Sequence, residues 1–396
     1  MKKLIAVILS LVALIVAIFL TFEFSYKLLP DNFVTDRTTF IYSNKNLNEE
    51  KIRKLEEILG INDSEEKEMI NKIKSIYILS QSKVYSGNIK MVGIVDTGIY
   101  YPVMLARLKE FFDYQNDYFY KLKDEYKNQL RLSEDETLYL KAYRGLFFIG
   151  SSKSEIDKTI HNSGKQSLKT IEILNSRADS DLGTFVFNQE RERLLGIDRV
   201  VLSGNINGKR ITLDGSIYGD SRFIKDLSTQ PATRRMNKYI DENRVYFSTT
   251  DIKMLDTFIL RAISSRDYSS REVNIIQDLF IKGSADIFSQ FNGEMVVDIE
   301  NGNYLLGIKT SESAERYIEY FKDDNDINIE KDIMGNIYLC IGEDTFVPVE
   351  NPKELTPNQF FSGKINTYYG KVEADGFYED DSLRIKIQVD LIDEYR

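Results

Sequence analysis

The chain has 396 residues with 62 acidic and 52 basic side chains, so its formal net charge is −10, and it contains one Cys, one His and no Trp. Cys340 alone cannot form an internal disulfide or a thiolate metal cage, and His161 alone cannot supply the several imidazoles of common zinc sites. The acidic balance argues against binding to a nucleic-acid backbone, which needs clustered Lys and Arg. We therefore expect no metal, no cofactor and no nucleic-acid partner.

The N-terminus carries the strongest signal. Lys2 and Lys3 precede an apolar run, Leu4–Leu20, in which Ser10 is the only polar residue. At about 1.5 Å per residue this run approaches the thickness of the hydrocarbon core, and the flanking lysines favour a cytoplasmic N-terminus. We expect residues 1–24 to form a cytoplasmic stub and a transmembrane signal anchor, so that residues 4–20 contact the cytoplasmic membrane. A cleaved secretory signal is the alternative, although no small-x-small cleavage site follows.

The part of the chain beyond the anchor is more acidic than the whole. Without the two N-terminal lysines it has 50 basic and 62 acidic groups, a net charge of −12. Anionic lipid headgroups repel such a surface, so we expect the extracytoplasmic body to stand away from the bilayer. The absence of a second Cys is typical of a bacterial rather than a eukaryotic exported protein.

The pattern after the anchor alternates between strands and helices. Residues Thr38–Tyr42 predict a strand, and the capping box Asn46–Glu49 opens a helix. The longest helical pattern runs from about Met104 to Leu130. Hairpins are predicted around three dipeptides, Arg144-Gly145, Asn207-Gly208 and Asn301-Gly302.

Seven aromatic residues crowd the segment from Phe111 to Tyr126. One helical face cannot bury them all, so this segment predicts either a helix packed between the sheet and its neighbours or an exposed aromatic surface. For the second case the expected ligand-binding residues are Phe111, Tyr114, Tyr118 and Tyr120.

Four short matches recur in the same order along the chain. Phe40–Ser43 resembles Val245–Ser248, Gly93-Ile94 resembles Gly307-Ile308, and two further matches link 203–220 with 362–380. These matches predict an α+β fold, in which the N-terminal transmembrane helix is followed by two related units of antiparallel sheet with helices on one face. The predicted limits are 25–221 for the first unit, with a helical insertion near 99–136, then a linker over 222–243 and the second unit over 244–396.

The second unit resembles a pattern found in exported, membrane-anchored bacterial families of unknown function. In that pattern a helix ends at Phe-Asn-Gly-Glu, here Phe291–Glu294, and a strand, a turn, a strand and an amphipathic helix (Ala314–Phe321) follow. The resemblance covers about 100 to 150 residues of the chain. It implies an envelope location and a non-catalytic role.

Three motifs resemble functional sites without their full chemistry. Asp96-Thr97-Gly98 has no second copy in the chain to form the carboxylate pair of an aspartic protease, so we expect Asp96 and Thr97 to act as turn residues. Residues 204–210 are one short of a phosphate-binding loop and predict a hairpin. Residues 324–335 lack the Gly and the Glu of a calcium loop.

These observations predict a single-pass protein of the bacterial envelope, with its N-terminus in the cytoplasm and the bulk of the chain extracytoplasmic. The expected role is non-catalytic scaffolding or binding, with an envelope protein or a lipid as partner. A carrier for a lipid or another amphipathic ligand is the alternative. An acid/base enzyme is a third possibility, but nothing in the sequence selects a pair among the 62 acidic residues.

Overall fold

A computed structural model of the chain describes residues 26–59, 68–82, 90–130, 132–133, 135–188, 197–219, 235–248, 291–310, 312, 315, 327–342, 346–367, 370–379 and 382–391. The predicted membrane segment, residues 4–20, lies outside these residues, and so does the helix predicted over Ala314–Phe321 apart from Glu315. Among the described residues, no helix has the length and apolar character needed to cross a bilayer.

The described residues are mainly antiparallel β-strand. The four α-helices among them are α1 (Glu49–Leu59), α2 (Tyr101–Phe111), α3 (Lys153–His161) and α4 (Leu168–Ser176). The strands are β1 (Phe40–Asn44), β2 (Ser75–Ser80), β3 (Met91–Asp96), β4 (Phe112–Tyr114), β5 (Phe119–Leu122), β6 (Tyr139–Tyr143), β7 (Leu146–Gly150), β8 (Thr184–Asn188), β9 (Ile197–Asn207), β10 (Arg210–Gly219), β11 (Arg244–Ser248), β12 (Phe291–Asp298), β13 (Asn303–Ile308), β14 (Ile327–Lys331), β15 (Ile337–Ile341), β16 (Gln359–Thr367), β17 (Gly370–Glu379) and β18 (Ser382–Leu391).

The chain divides into two compact units, each of which is described by itself. The first comprises residues 1–188 with 201–206, and the second comprises 189–200 with 207–396. The limits predicted from the sequence, 25–221, 222–243 and 244–396, stay a prediction.

In the first unit the strand order is β8–β1–β2–β3–β7–β6–β5–β4, with antiparallel pairing throughout. The central strand β7 is buried on both faces: Leu146 and Phe148 pack into one apolar cluster and Phe147 into another. Because successive side chains of a strand point to opposite faces, a strand covered on both sides is continuously apolar. The second cluster is formed mainly by residues of α2, β4, β5 and β6, namely Met104, Phe112, Leu122 and Leu140.

In the second unit the strand order is β14–β15–β13–β12–β11–β16–β17–β18–β10, again antiparallel. Its main core lies on one face of β11, β12, β13 and β15, beneath a short segment that includes the 3₁₀ turn Asn237–Tyr239. The buried members of this core are Met236, Tyr239, Ile240, Tyr246, Val296, Leu305, Tyr338, Cys340 and Phe346.

The two units share an order of strand pairing. In the first it runs β6–β7–β3–β2–β1–β8, and in the second it runs β14–β15–β13–β12–β11–β16. Two of the four sequence matches fall on strands that correspond in this order, namely β1 with β11 and β3 with β13. The match of Ser203 with Ser362 does not, because it joins β9 to β16, whereas the strand that corresponds to β16 is β8.

The predicted α+β architecture, in which two related units of antiparallel sheet each carry helices on one face, is wrong. In the second unit, the longest helical stretch that the structure describes is the 3₁₀ turn Asn237–Tyr239. In the first unit, helical and strand segments cover both faces of the central strands. Long alternating strands such as β17 and β18 extend the second sheet by hairpin pairing, so its area grows without added helices.

The long helix predicted over Met104–Leu130 is also wrong. Helix α2 ends at Phe111, and the chain continues as the β4–β5 hairpin, in which Phe112 pairs with Leu122. Aromatic residues favour strands, and apolar residues on the two arms of a hairpin can imitate a helical spacing. Both Phe112 and Leu122 are buried in the second cluster of the first unit, which satisfies the apolar pattern without a helix.

The predicted hairpins are confirmed. Arg144-Gly145 joins β6 to β7, Asn207-Gly208 joins β9 to β10, and Asn301-Gly302 lies in the turn between β12 and β13. Helix α1 begins after Asn48, whose side-chain oxygen accepts a hydrogen bond from the Lys51 N–H at 2.9 Å, as a capping residue does. Residues 291–294, expected at the end of a helix, belong to strand β12.

Candidate functional site

The four predicted ligand-binding residues lie around the β4–β5 hairpin, but the structure separates them into two pairs. Phe111 and Tyr120 are partly buried and pack against the second apolar cluster of the first unit. Tyr114 and Tyr118 are exposed, by 62% and 75%. We call the exposed end of this hairpin, residues 114–118, the aromatic tip.

The turn of the aromatic tip has an unusual backbone. Asp117 and Tyr118 have φ angles of 56° and 63°, and the Phe119 N–H donates to the Asn116 carbonyl at 3.1 Å. Two consecutive left-handed residues closed by this bond form a type I′ turn, in which Gly is strongly preferred at the second central position. Tyr118 occupies that position, where an L side chain costs about 1–2 kcal/mol.

The base of the hairpin is held firmly beneath the tip. Phe119 is buried in the core, and the Lys141 Nζ lies over its ring, 4.4 Å from the centroid. The Lys153 Nζ lies 5.6 Å from the same centroid and donates to the Asn116 Oδ1 at 3.4 Å. The tip is therefore a projecting feature on a fixed support.

The two rings nearest the strands contact each other. Tyr114 and Tyr120 pair across the hairpin with their ring centroids 5.5 Å apart and nearly perpendicular. Phe111 makes a similar edge contact with Tyr126 at 5.0 Å, on the side of the core. The aromatic tip therefore presents to a ligand the ring faces of Tyr114 and Tyr118 and the polar side chains of residues 115–117. The rings suit stacking, and the polar side chains suit hydrogen bonding.

The Asp96-Thr97-Gly98 motif forms the expected turn. The Asp96 Oδ1 accepts a hydrogen bond from the Gly98 N–H at 2.7 Å and lies 2.7 Å from the Lys27 Nζ. Both side chains of this ion pair are buried. Asp96 therefore forms a structural ion pair with Lys27, whereas the active site of an aspartic protease needs two carboxylates facing each other.

The two residues that occur once in the chain lie in separate environments. His161 is the last residue of α3, is exposed, and borders an open cleft of about 670 Å³ with Tyr143, Asp157 and Lys158. Cys340 is buried in the core of the second unit, as expected of a small apolar residue. Within the described residues, no three His, Cys, Asp or Glu side chains are grouped so that they could hold a metal ion.

Two carboxylates of the second unit were missed by the sequence analysis. Burial raises the pKa of Glu294, although its carboxylate accepts hydrogen bonds from the Arg235 and Met236 N–H groups and the Tyr246 hydroxyl at 3.1–3.2 Å. The available signal was an acidic residue directly before the apolar run Met295–Val297.

The second missed carboxylate is Asp332, in the turn between β14 and β15. Burial alone would raise its pKa, but hydrogen bonds from Lys238, Asn336 and Tyr338 outweigh that effect and hold the pKa well below its ordinary range. The available signal was an Asp followed by two apolar residues and Gly-Asn, a turn composition with an apolar centre.

Comparisons with known proteins give no family. No protein-family model matches the chain, and no curated protein matches it. Among solved structures, TP0453 in its crystal forms IV, III and I is similar, with TM-scores of 0.33, 0.32 and 0.31 and sequence identities of 9%, 10% and 10%. These matches cover 50%, 49% and 48% of this chain and 83%, 81% and 79% of TP0453. Similarity at this level carries no argument about function.

Proposed function

We propose that this chain is an extracytoplasmic binding protein of the bacterial envelope, held at the cytoplasmic membrane by residues 4–20, and that the aromatic tip recognises its partner. The role is non-catalytic scaffolding or binding, and the partner is another envelope protein. The apolar run behind Lys2 and Lys3 supports the location.

The observation that carries the binding role is the conformation of Tyr118. A left-handed backbone beneath a 75% exposed aromatic side chain lowers stability without filling the core. Gly at this position would relieve the strain, so the fold itself gives no reason for Tyr. Exposed tyrosines supply a large contact area at a small entropic cost, which is why they are common in protein recognition surfaces.

The surroundings of the reactive residues support a non-catalytic role. Asp96 is ion-paired with Lys27 inside the first unit, and Cys340 is buried inside the second. His161 stands at an open surface, where its helix neighbour Asp157 is paired with Lys141 at 2.6 Å. None of these three residues belongs to an arrangement in which a nucleophile is activated by a neighbouring base and a third group orients that base, as covalent catalysis requires.

The location and the partner can be tested together by photo-crosslinking. The full chain carrying p-benzoylphenylalanine at position 118 is irradiated in cells, and its adducts in the membrane fraction are identified by mass spectrometry. Tyr218, an exposed aromatic residue on β10, provides the matched control position. We expect a protein adduct at 118 that is absent at 218. A lipid adduct would instead support the carrier alternative, and the absence of any specific adduct would contradict recognition by the tip.

The purified partner then permits a quantitative test. Replacing Tyr114 and Tyr118 together by Ala should weaken binding by about thirtyfold, the loss typical of a hot spot, and leave the unfolding midpoint nearly unchanged. Phe119→Ala is the control for stability, because Phe119 is buried and its truncation should lower the midpoint. A large loss of stability in the double variant would assign both tyrosines to the core.

A further inference from the structure

The turn between β14 and β15 is tightly built. The Gly335 N–H donates to the Asp332 carbonyl at 2.9 Å, and the Asp332 N–H donates to the Asn336 carbonyl at 3.0 Å. Gly335 has a φ of 79°, a left-handed conformation that closes a three-residue hairpin loop. The loop therefore has a defined shape with Ile333 and Met334 at its end.

The Asp332 carboxylate braces this turn from within. It accepts hydrogen bonds from the backbone of Met334 and Asn336 at 2.9 and 2.8 Å, and from the Tyr338 hydroxyl and the Lys238 Nζ at 3.0 and 2.9 Å. Such a network of charge-assisted bonds fixes the turn against the sheet. The two apolar residues therefore project from a rigid base.

These two residues are exposed to an extent that the fold does not require. Ile333 is 102% exposed and Met334 is 83% exposed. The corresponding hairpin of the first unit, β6–β7, closes with only Arg144 and Gly145. Because the same strand pairing forms with a short polar turn, the pairing of β14 with β15 does not require the apolar end of the longer turn.

Basic side chains lie at the same end of the sheet. Lys331 is the last residue of β14 and pairs with Ile337, the first residue of β15. Ile337 also pairs with Ile308, the last residue of β13, so Lys309 lies at the same end of the sheet as the turn. Arg235 donates to the side chain of Asn336 in the turn. The side chains of all three basic residues are exposed, and the charge of Asp332 is offset by Lys238. Local charge governs contacts within a Debye length of about 8 Å, so the net acidity of the chain is screened.

We propose that the turn Asp332–Asn336 is a bilayer-contacting site, in which Ile333 and Met334 enter the interface of an anionic membrane and Lys309, Lys331 and Arg235 face its phosphate groups. A convex apolar end suits a deformable apolar medium, and the basic residues at the same end of the sheet match a plane of negative headgroups. This proposal departs from the expectation that the acidic body stands away from the bilayer. It does not depend on the aromatic tip or on its partner.

The absence of Trp from the chain makes a direct test possible. The full chain with Met334→Trp is reconstituted into nanodiscs containing brominated phosphatidylglycerol, and vesicles of the same lipid are added in a second sample so that contact with an opposing membrane is also detected. Ile299→Trp is the matched control, because Ile299 lies in the turn at the opposite end of the same sheet and is 48% exposed.

We expect the indole emission of the Met334→Trp variant to shift to the blue and to be quenched at least about twofold in one of these samples, as for a residue ~5–10 Å deep in the interface. The emission of the Ile299→Trp variant should stay unquenched, and quenching of the Met334→Trp variant should disappear with brominated phosphatidylcholine. Replacing Lys309 or Lys331 by Gln should weaken docking by about fivefold each.

Two outcomes would overturn the proposal. The first is equal emission from the Met334→Trp and Ile299→Trp variants in both samples. The second is a blue shift without quenching that grows with protein concentration, which would assign the turn to contact with a second copy of the chain.

Discussion

The corresponding strand pairs β1–β2 and β11–β12 have the same backbone pairing and different buried chemistry. Ser43 lies opposite Tyr77 in the first unit, and Ser248 lies opposite Glu294 in the second. Tyr77 donates its hydroxyl proton to the Asp31 carboxylate at 2.6 Å, whereas Glu294 accepts from the Tyr246 hydroxyl. In both places a carboxylate–phenol bond satisfies the buried side chain that lies opposite the serine, but the carboxylate and the phenol come from different elements. The pairing order can therefore persist while the polar partners within the core change.

The corresponding hairpins differ in the same way. β6–β7 closes with the two residues Arg144 and Gly145, while β14–β15 closes around Asp332 with Ile333 and Met334 at its end. Turns form at the surface, where a change in length costs little as long as the flanking register is kept. The sheet of each unit requires the strand register, which the two hairpins share. The turn that closes the hairpin is not set by the register, and it differs in length and chemistry between the units.

The largest effect should come from removing the carboxylate that distinguishes the second hairpin. We expect Asp332→Ala to lower the free energy of unfolding by about 3 kcal/mol, because it leaves Lys238 and the Tyr338 hydroxyl without their acceptor. Urea unfolding of the full chain in detergent measures this. Asp390→Ala is the control, since Asp390 forms an exposed pair with Arg210 and its removal should cost less than about 1 kcal/mol. Equal losses in both variants would mean that the second turn is no more strongly built than an ordinary surface pair.

The hairpins could be predicted from the sequence, whereas the architecture could not. Arg144-Gly145, Asn207-Gly208 and Asn301-Gly302 act locally, because a turn depends on the backbone preferences of two residues. The helix predicted over Met104–Leu130 failed because burial of Phe112 and Leu122 is decided by pairing across a hairpin, which spacing along the chain does not reveal. Local patterns cannot distinguish these cases when aromatic residues dominate.

The same limit applies to the candidate site. Crowding of aromatic residues left two predictions open for Phe111, Tyr114, Tyr118 and Tyr120, burial in the core or exposure at a binding surface. Only the fold separates the exposed pair from the partly buried pair. The turn at Asp332 was missed because the apolar character of Ile333 and Met334 suggests a core position. Their exposure follows from the hydrogen bonds of Asp332, which are made by residues as distant in sequence as Lys238.

The second prediction concerns the buried carboxylate of β12. Burial raises the pKa of Glu294, so the unfolded chain releases this proton at a lower pH than the folded chain does. Stability contributed by the protonated form is complete below the ordinary Glu pKa of about 4.3 and is lost as pH rises towards the raised value. We expect the wild type to lose stability relative to Glu294→Gln as the pH rises from 4 to 7.

Unfolding curves of the two proteins at several pH values measure this difference. Tyr77, at the corresponding position of the first unit, ionises far above this range because burial and the adjacent Asp31 raise its pKa. Tyr77→Phe is therefore the matched control, and its stability difference from the wild type should not change between pH 4 and pH 7. A constant difference for Glu294→Gln as well, or one that changes with pH in the opposite direction, would contradict a raised pKa for Glu294.

The smallest effect should be a gain in stability at the aromatic tip, which has no counterpart among the described strands of the second unit. Tyr118→Gly relieves a left-handed backbone in a type I′ turn and creates the favoured Asp-Gly sequence. Part of the relief is cancelled by the greater freedom of Gly in the unfolded chain, so we expect a net gain of about 0.5–1 kcal/mol.

The control makes the same chemical change four residues earlier. Tyr114 is similarly exposed but lies in the regular strand β4, where Gly should lower stability by about 0.5–1 kcal/mol. Opposite signs at the two positions would show that the strain is specific to Tyr118. Loss of partner binding in the stabilised Tyr118→Gly variant would show that the tyrosine side chain serves recognition at a cost in stability. If both variants lose stability, Tyr118 contributes more to the hairpin than its exposure indicates, and strain no longer argues for a role in binding.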